Sequence, residues 1–141
     1  MGTRWLDRYV EAWVQHGRAG GGDIEAMDAL LAFMSGDIRY EDVPTGAVFH
    51  GHDGVRAMAA LAHQLSADIT FQAKGIAVGD GFFAFETETR GTQTGATGAT
   101  GPSGAPFVIR GVSVGAWTGD QVTEHRDYWD LSSYLAQLGS T

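Results

Sequence analysis

The feature that most limits what this chain can fold into is a change of period near residue 65. Before it, apolar residues recur at helical spacing; after it, they alternate or run in short blocks. Trp5, Leu6, Tyr9, Val10 and Trp13 share one face of a first helix that Gly17 and the glycines at 20–22 should end. Asp23 is placed to cap a second helix with Ile24, Met27, Leu30, Leu31 and Met34 as its stripe and Gly36 as its stop. Residues 38–43 alternate like a short strand, and Pro44-Thr45-Gly46 reads as a turn. A third helix should follow Gly51-His52, with Asp53 as its N-cap and Val55, Met58, Ala59, Leu61, Ala62 and Leu65 on its buried face. Beyond it, residues 69–73, 77–78, 82–89, 107–117 and 122–129 read as strands. Gly79-Asp80-Gly81 and Thr118-Gly119-Asp120 are hairpin signals between them. Residues 131–138 either close the chain as a short helix or lie across the sheet. Helices first and strands afterwards predict one α+β domain over 1–141, with the helices on one side of a mostly antiparallel sheet.

The segment 91–106 stands apart, because its Gly-x-x triplets superficially resemble collagen. Four triplets cannot hold a triple helix, so the expectation is a flexible, Gly-rich hairpin loop. Charge excludes more than it suggests. Nine basic residues against seventeen acidic ones give a formal charge of −8, which speaks against nucleic acid and against an anionic membrane surface as partners. With no cysteine there is no disulfide, thiolate nucleophile or cysteine metal site. No apolar run reaches membrane-spanning length, and the N-terminus is charged and amphipathic rather than signal-like, so a soluble, cytoplasmic protein is the default. No phosphate-binding glycine loop and no Gly-x-Ser-x-Gly elbow occurs. His50 and His52 lack a third ligand at diagnostic spacing, so neither a metal nor an organic cofactor is expected.

Carboxylate and histidine chemistry is what remains. The last strand carries Glu124, His125, Arg126, Asp127 and Asp130 around Tyr128 and Trp129, too many ionisable groups for an idle core strand. Alternate side chains of a strand share a face about 7 Å apart, so His125, Asp127 and Trp129 project together, and Glu124, Arg126 and Tyr128 project oppositely. A buried charge is costly unless paired, which argues for function over a merely charged edge strand. On the first strand Tyr40 and Asp42 share a face. They either join that chemistry or simply finish the strand and start the Pro44 turn. In the 82–89 run Phe83, Phe85, Thr87 and Thr89 make the side that faces a core or cavity. A carboxylate in such a cavity should have a raised pKa, suited to a general base acting on a carbon acid.

The chain resembles the nuclear-transport-factor-2-like superfamily, and more narrowly the SnoaL-like polyketide cyclases, limonene-1,2-epoxide hydrolases and ketosteroid isomerases. The residues that carry this are 9–13 in the first helix, Ile38-Arg-Tyr-Glu-Asp-Val-Pro44, Gly51-His-Asp-Gly-Val-Arg56, Val122-Thr-Glu-His-Arg-Asp-Tyr-Trp-Asp-Leu131 and Gln137-Leu-Gly139. The resemblance implies a cone-shaped, curved, mostly antiparallel sheet wrapped around N-terminal helices, enclosing an apolar pocket for a small-molecule ligand. It also implies a homodimer. Asp127 matches the last-strand aspartate that serves as general base, with His125 beside it. Tyr40 and Asp42 match a water-positioning Tyr-x-Asn pair, with Asp in place of Asn. Trp129, Phe83, Phe85, Thr87 and Thr89 would contact substrate. The epoxide hydrolases also need an Arg-x-Asp on a middle strand, where this chain has Thr87 and Thr89, and Arg110 on the next strand has an undecided facing. The leading expectation is therefore an isomerase or aldol-type cyclase acting on a polyketide, steroid or terpenoid-like molecule. Epoxide hydrolysis with Asp127 activating water is the alternative, and a non-catalytic ligand-binding module the third.

Overall fold

The computed structural model describes residues 3–19, 23–97 and 101–139. Its elements are α1 (Arg4–Ala19), α2 (Ile24–Leu31), β1 (Met34–Asp42), β2 (Ala47–His50) and α3 (Gly51–Leu65), then β3 (Thr70–Val78), β4 (Phe82–Thr92), β5 (Pro106–Thr118), β6 (Gln121–Trp129) and α4 (Leu131–Gln137). The six strands form one curved, unclosed sheet in the order β2-β1-β6-β5-β4-β3. All neighbours are antiparallel except β1 and β6, which run parallel. This is the expected α+β architecture. The helices cover the concave face, where Leu6 and Tyr9 of α1, Leu30 of α2 and Val55 of α3 are fully buried.

Local chemistry explains the boundaries. Asp23 caps α2 as expected, accepting a 2.9 Å hydrogen bond from the Ala26 amide. The helix stops at Leu31, however, and Met34 and Gly36, expected to complete it, belong to β1. Sheet pairing overrides the helical period there: the Val122 amide donates to the Phe33 carbonyl at 2.8 Å, and Met34 lies opposite Val122. Asp53 does not cap α3, which starts two residues earlier at Gly51; it pairs instead with Arg56 at 2.8 Å. The turn after Asp42 lays β2, unforeseen from the sequence, along β1. The two runs expected at 69–73 and 77–78 are one strand, β3, with a bulge between Lys74 and Ala77.

The far end of the sheet is closed by α4, capped by Asp130, which accepts from the Ser133 amide at 2.9 Å. β6 ends at Trp129, opposite Gly111, so the edge of β5 before Gly111 has lost its strand partner. The Gln137 amide replaces it, accepting from the Val108 amide at 2.7 Å and donating to the Val108 carbonyl at 2.8 Å. Tyr134 and Leu138 pack there on Phe107 as a second small core. In the β4–β5 connection the Thr94 and Gly95 amides both donate to the Leu65 carbonyl at 3.0 Å. Residues 98–100, the middle of the stretch expected to be flexible, lie outside the described residues.

Candidate active site

A bulge in β6 aims the site. Trp117 faces Val122, but Ala116 faces Glu124, so Thr123 is the extra residue. Val122 and His125, three apart, therefore both point inward, and the alternation that follows puts His125, Asp127 and Trp129 on the concave side. Glu124 and Arg126 turn the other way and pair at 3.5 Å. Parallel pairing then sets Tyr40 beside His125 and Asp42 beside Asp127.

His125 is 1% exposed and boxed by rings. Tyr40 stacks on it with centroids 4.9 Å apart and planes at 5°, while Trp13, Phe83 and Phe85 surround it at 5.2 to 6.1 Å. Its Nδ1 meets the Tyr9 hydroxyl at 2.7 Å, and its Nε2 meets Asp127 Oδ1 at 2.9 Å. Asp127 Oδ1 also accepts from the Ser113 hydroxyl at 2.6 Å, and Oδ2 accepts from the Tyr40 hydroxyl. Burial pushes the Asp127 pKa upward, but the nearby His125 and the hydrogen bonds from His125, Ser113 and Tyr40 outweigh it and hold the carboxyl below its ordinary value. The raised value expected from an apolar cavity is thus overturned, because three donors converge on the group. Burial, reinforced by the charge of Asp127, moves the Tyr40 hydroxyl well above its ordinary value and keeps it a proton donor.

These groups form the floor of a cavity of about 410 Å³. Met58, Leu61 and Leu65 of α3 wall one side, Thr87, Thr89 and Ile109 the sheet side, and Leu131 and Tyr134 the end. The Thr87 and Thr89 hydroxyls make no side-chain hydrogen bond among the described residues and face the cavity, where they can meet a ligand oxygen. Trp129 and Asp42 also reach the cavity, but each is engaged. Asp42 Oδ1 accepts from the Trp129 indole N–H, and Oδ2 accepts from Thr45 at 2.5 Å. Asp42 thus both lines the cavity and ties the turn that follows β1.

Of the residues expected at a site, Tyr40, Asp42, Thr87, Thr89, His125, Asp127 and Trp129 converge here. Phe83 and Phe85 do not line the cavity. They are 0% and 3% exposed and fill the core beneath His125, at the narrow end where the helices close on the sheet. Arg110, whose facing the sequence left open, is exposed on the convex face near Lys74, Glu86 and Glu88. The cavity lining holds no arginine or lysine among the described residues. Two contributors escaped the sequence reading. Tyr9 was visible only as part of a helical stripe, although a buried tyrosine needs a partner for its hydroxyl. Ser113 sits in Gly111-Val-Ser-Val-Gly115, whose small inward residues lie opposite Trp129, Asp127 and His125, and that pattern was its signal.

Comparison with known proteins bears on the family and the fold. The profile of the SnoaL-like polyketide cyclases matches residues 3–138. Among solved structures, TsrD from Streptomyces laurentii superposes with a TM-score of 0.84 at 18% identity, covering 100% of this chain and 99% of that one. A hypothetical protein with a ketosteroid isomerase-like fold from Catenulispora acidiphila, in complex with trimethylamine, gives 0.75 at 20% identity, covering 100% and 96%. TerC, co-crystallised with polyporic acid, gives 0.74 at 12% identity, covering 95% and 98%. At these identities the likeness is one of fold. No curated protein matches the sequence.

Proposed function

This chain belongs to the SnoaL-like polyketide cyclase family, and from that premise we propose that it is a cofactor-independent acid–base enzyme whose general base is Asp127. The observation that carries the reading is an aspartate kept ionised by Tyr40, Ser113 and His125 at the floor of a mostly apolar cavity. The substrate would be a bulky, largely apolar carbonyl compound of polyketide, steroid or terpenoid type. Asp127 takes the proton from a carbon beside the carbonyl. The C–H electron pair moves onto the carbonyl oxygen, which Thr87 or Thr89 can hydrogen-bond as its charge develops. The enolate carbon then either attacks a second carbonyl and closes a ring, the new alkoxide taking the proton back from Asp127, or, where the enolate is conjugated with a C=C bond, the far carbon takes that proton and an isomer results. A depressed pKa keeps Asp127 charged over a wide pH range at some loss of base strength. A ligand filling the cavity would strip water from the 27% of its side chain that remains exposed and restore part of that strength. Two solved proteins of this fold carry small organic molecules, which is consistent with a ligand cavity here.

The test follows deuterium uptake from D2O at the carbon next to the carbonyl in neutral polycyclic ketones. The wild-type protein should accelerate exchange, and Asp127→Asn should lose roughly 10²-fold or more of that rate while retaining ligand affinity. Undiminished exchange in the variant overturns the proposal. Epoxide hydrolysis is the weaker reading. With Arg110 on the convex face, no arginine or lysine among the described residues lines the cavity to link two carboxylates.

A further inference from the structure

We propose that Tyr9 is a positioning residue that fixes the ring proton of His125 on Nε2 and thereby sets how tightly Asp127 is held. The inference rests on the reading of Asp127 as the base. Tyr9 lies on α1 and His125 on β6, 116 residues later, and they are 0% and 1% exposed. In that dry setting the Tyr9 hydroxyl proton needs an acceptor, and His125 Nδ1 at 2.7 Å is the one acceptor it meets among the described residues. Nδ1 must then present its lone pair, so the ring's single proton sits on Nε2, aimed at Asp127 Oδ1 at 2.9 Å. The opposite tautomer fails at both ends. Tyr9 would keep a buried proton with no acceptor, and the Nε2 lone pair would face a carboxylate lone pair.

The other elements packed on the ring do not compete for this arrangement. Tyr40 of β1 and Ser113 of β5 both donate to Asp127, while Asp42 of β1 is engaged by Trp129 and Thr45. Trp13 of α1 and Phe83 and Phe85 of β4 supply apolar faces. Asp127 is therefore the charged group that the ring contacts, and Tyr9 at the other nitrogen works with it to hold the proton on Nε2.

The experiment uses the full chain labelled with ¹⁵N in histidine and ¹³C at the aspartate carboxyls. Signals are assigned by their loss in His125→Gln and Asp127→Asn. Wild-type spectra should show His125 Nδ1 unprotonated and Nε2 protonated. In Tyr9→Phe the Nδ1 lone pair loses its donor, so its signal should move away from the hydrogen-bonded position toward that of a free lone pair. The Asp127 carboxyl should then titrate at higher pH, because a ring without the Tyr9 hydrogen bond is a weaker N–H donor, and the acid limb of the exchange rate should move the same way while ligand affinity changes less than twofold. His125 shifts identical to wild type would reduce Tyr9 to a packing residue and overturn the proposal. Should Tyr9→Phe fail to fold, 3-fluorotyrosine at position 9 keeps the shape and strengthens the donor. It should displace the Nδ1 signal, and an unmoved signal overturns the proposal equally. The tautomer readout needs no turnover, so it stays decisive even if Asp127→Asn shows full exchange activity and the base assignment falls.

Discussion

Asp127 accepts three hydrogen bonds, and each donor comes from a different residue environment. Ser113 is the simplest to remove. Ser113→Ala should move the Asp127 titration, and the acid limb of any rate that depends on it, to higher pH, because a hydrogen bond to the charged form has gone. NMR titration of the carboxyl checks this. Asp42 predicts a different phenotype. Asp42→Ala frees the Trp129 indole and unties Thr45, so stability should fall by about 1–3 kcal/mol in denaturant melts. Substrate affinity should weaken with little change in the proton-transfer rate constant. His125 and Asp127 were legible in the sequence because two-residue alternation names a face without any knowledge of its neighbours. The direction of the Asp127 pKa was not, since it depends on donors from β1 and β5 that only tertiary pairing brings near. Tyr9 was hidden for the same reason: a helical stripe reports burial, not the hydroxyl's partner.

Elements were legible where one local signal acted alone, as with the Asp23 cap and the two hairpin turns. They failed where pairing competed with period, as at Met34, or where a bulge joined two runs, as in β3. Strand β5 shows how little slack such pairing leaves. A Cβ at Gly115 would lie 2.2 Å from the Glu124 carbonyl oxygen and 2.5 Å from the Phe83 ring, and one at Gly111 would lie 2.4 Å from the Tyr128 carbonyl oxygen. Both clashes involve the backbone of β6, the strand that presents His125 and Asp127. Gly115→Ala should therefore cost about 1–3 kcal/mol, measurable as a lower melting temperature. It should also displace the His125 ring signals. A variant as stable as wild type would show that the two strands can part without loss.

Across the molecule, the α+β architecture was readable from the order of periods, whereas the single parallel contact that assembles the site was not. Acid should weaken the whole fold. His16 is 5% exposed, and burial, helped by His63 with its ring 5.8 Å away and opposed by Asp23, holds its pKa below the usual histidine value. Neutral His16 is accommodated fully above the unfolded pKa of about 6.5. As pH falls from there toward the folded pKa, the unfolded chain binds a proton that the native state resists, and stability declines. Thermal melts should show a lower midpoint near pH 5.5 than near pH 7.5, and His16→Leu should flatten that difference. An unchanged slope would move the cause elsewhere.

The parallel contact between β1 and β6 has a consequence for how the molecule is made. β6 is translated after every other strand, yet it lies between β1 and β5. Until it emerges from the ribosome, the sheet can form at most as two separate ribbons, β2-β1 and β5-β4-β3, whose facing edges stand open. Closing them requires a long-range insertion, the slow class of folding step. The strand that carries His125 and Asp127 is thus the wedge that joins the two halves, so a nascent chain has no partial version of the site to display before it has a complete sheet.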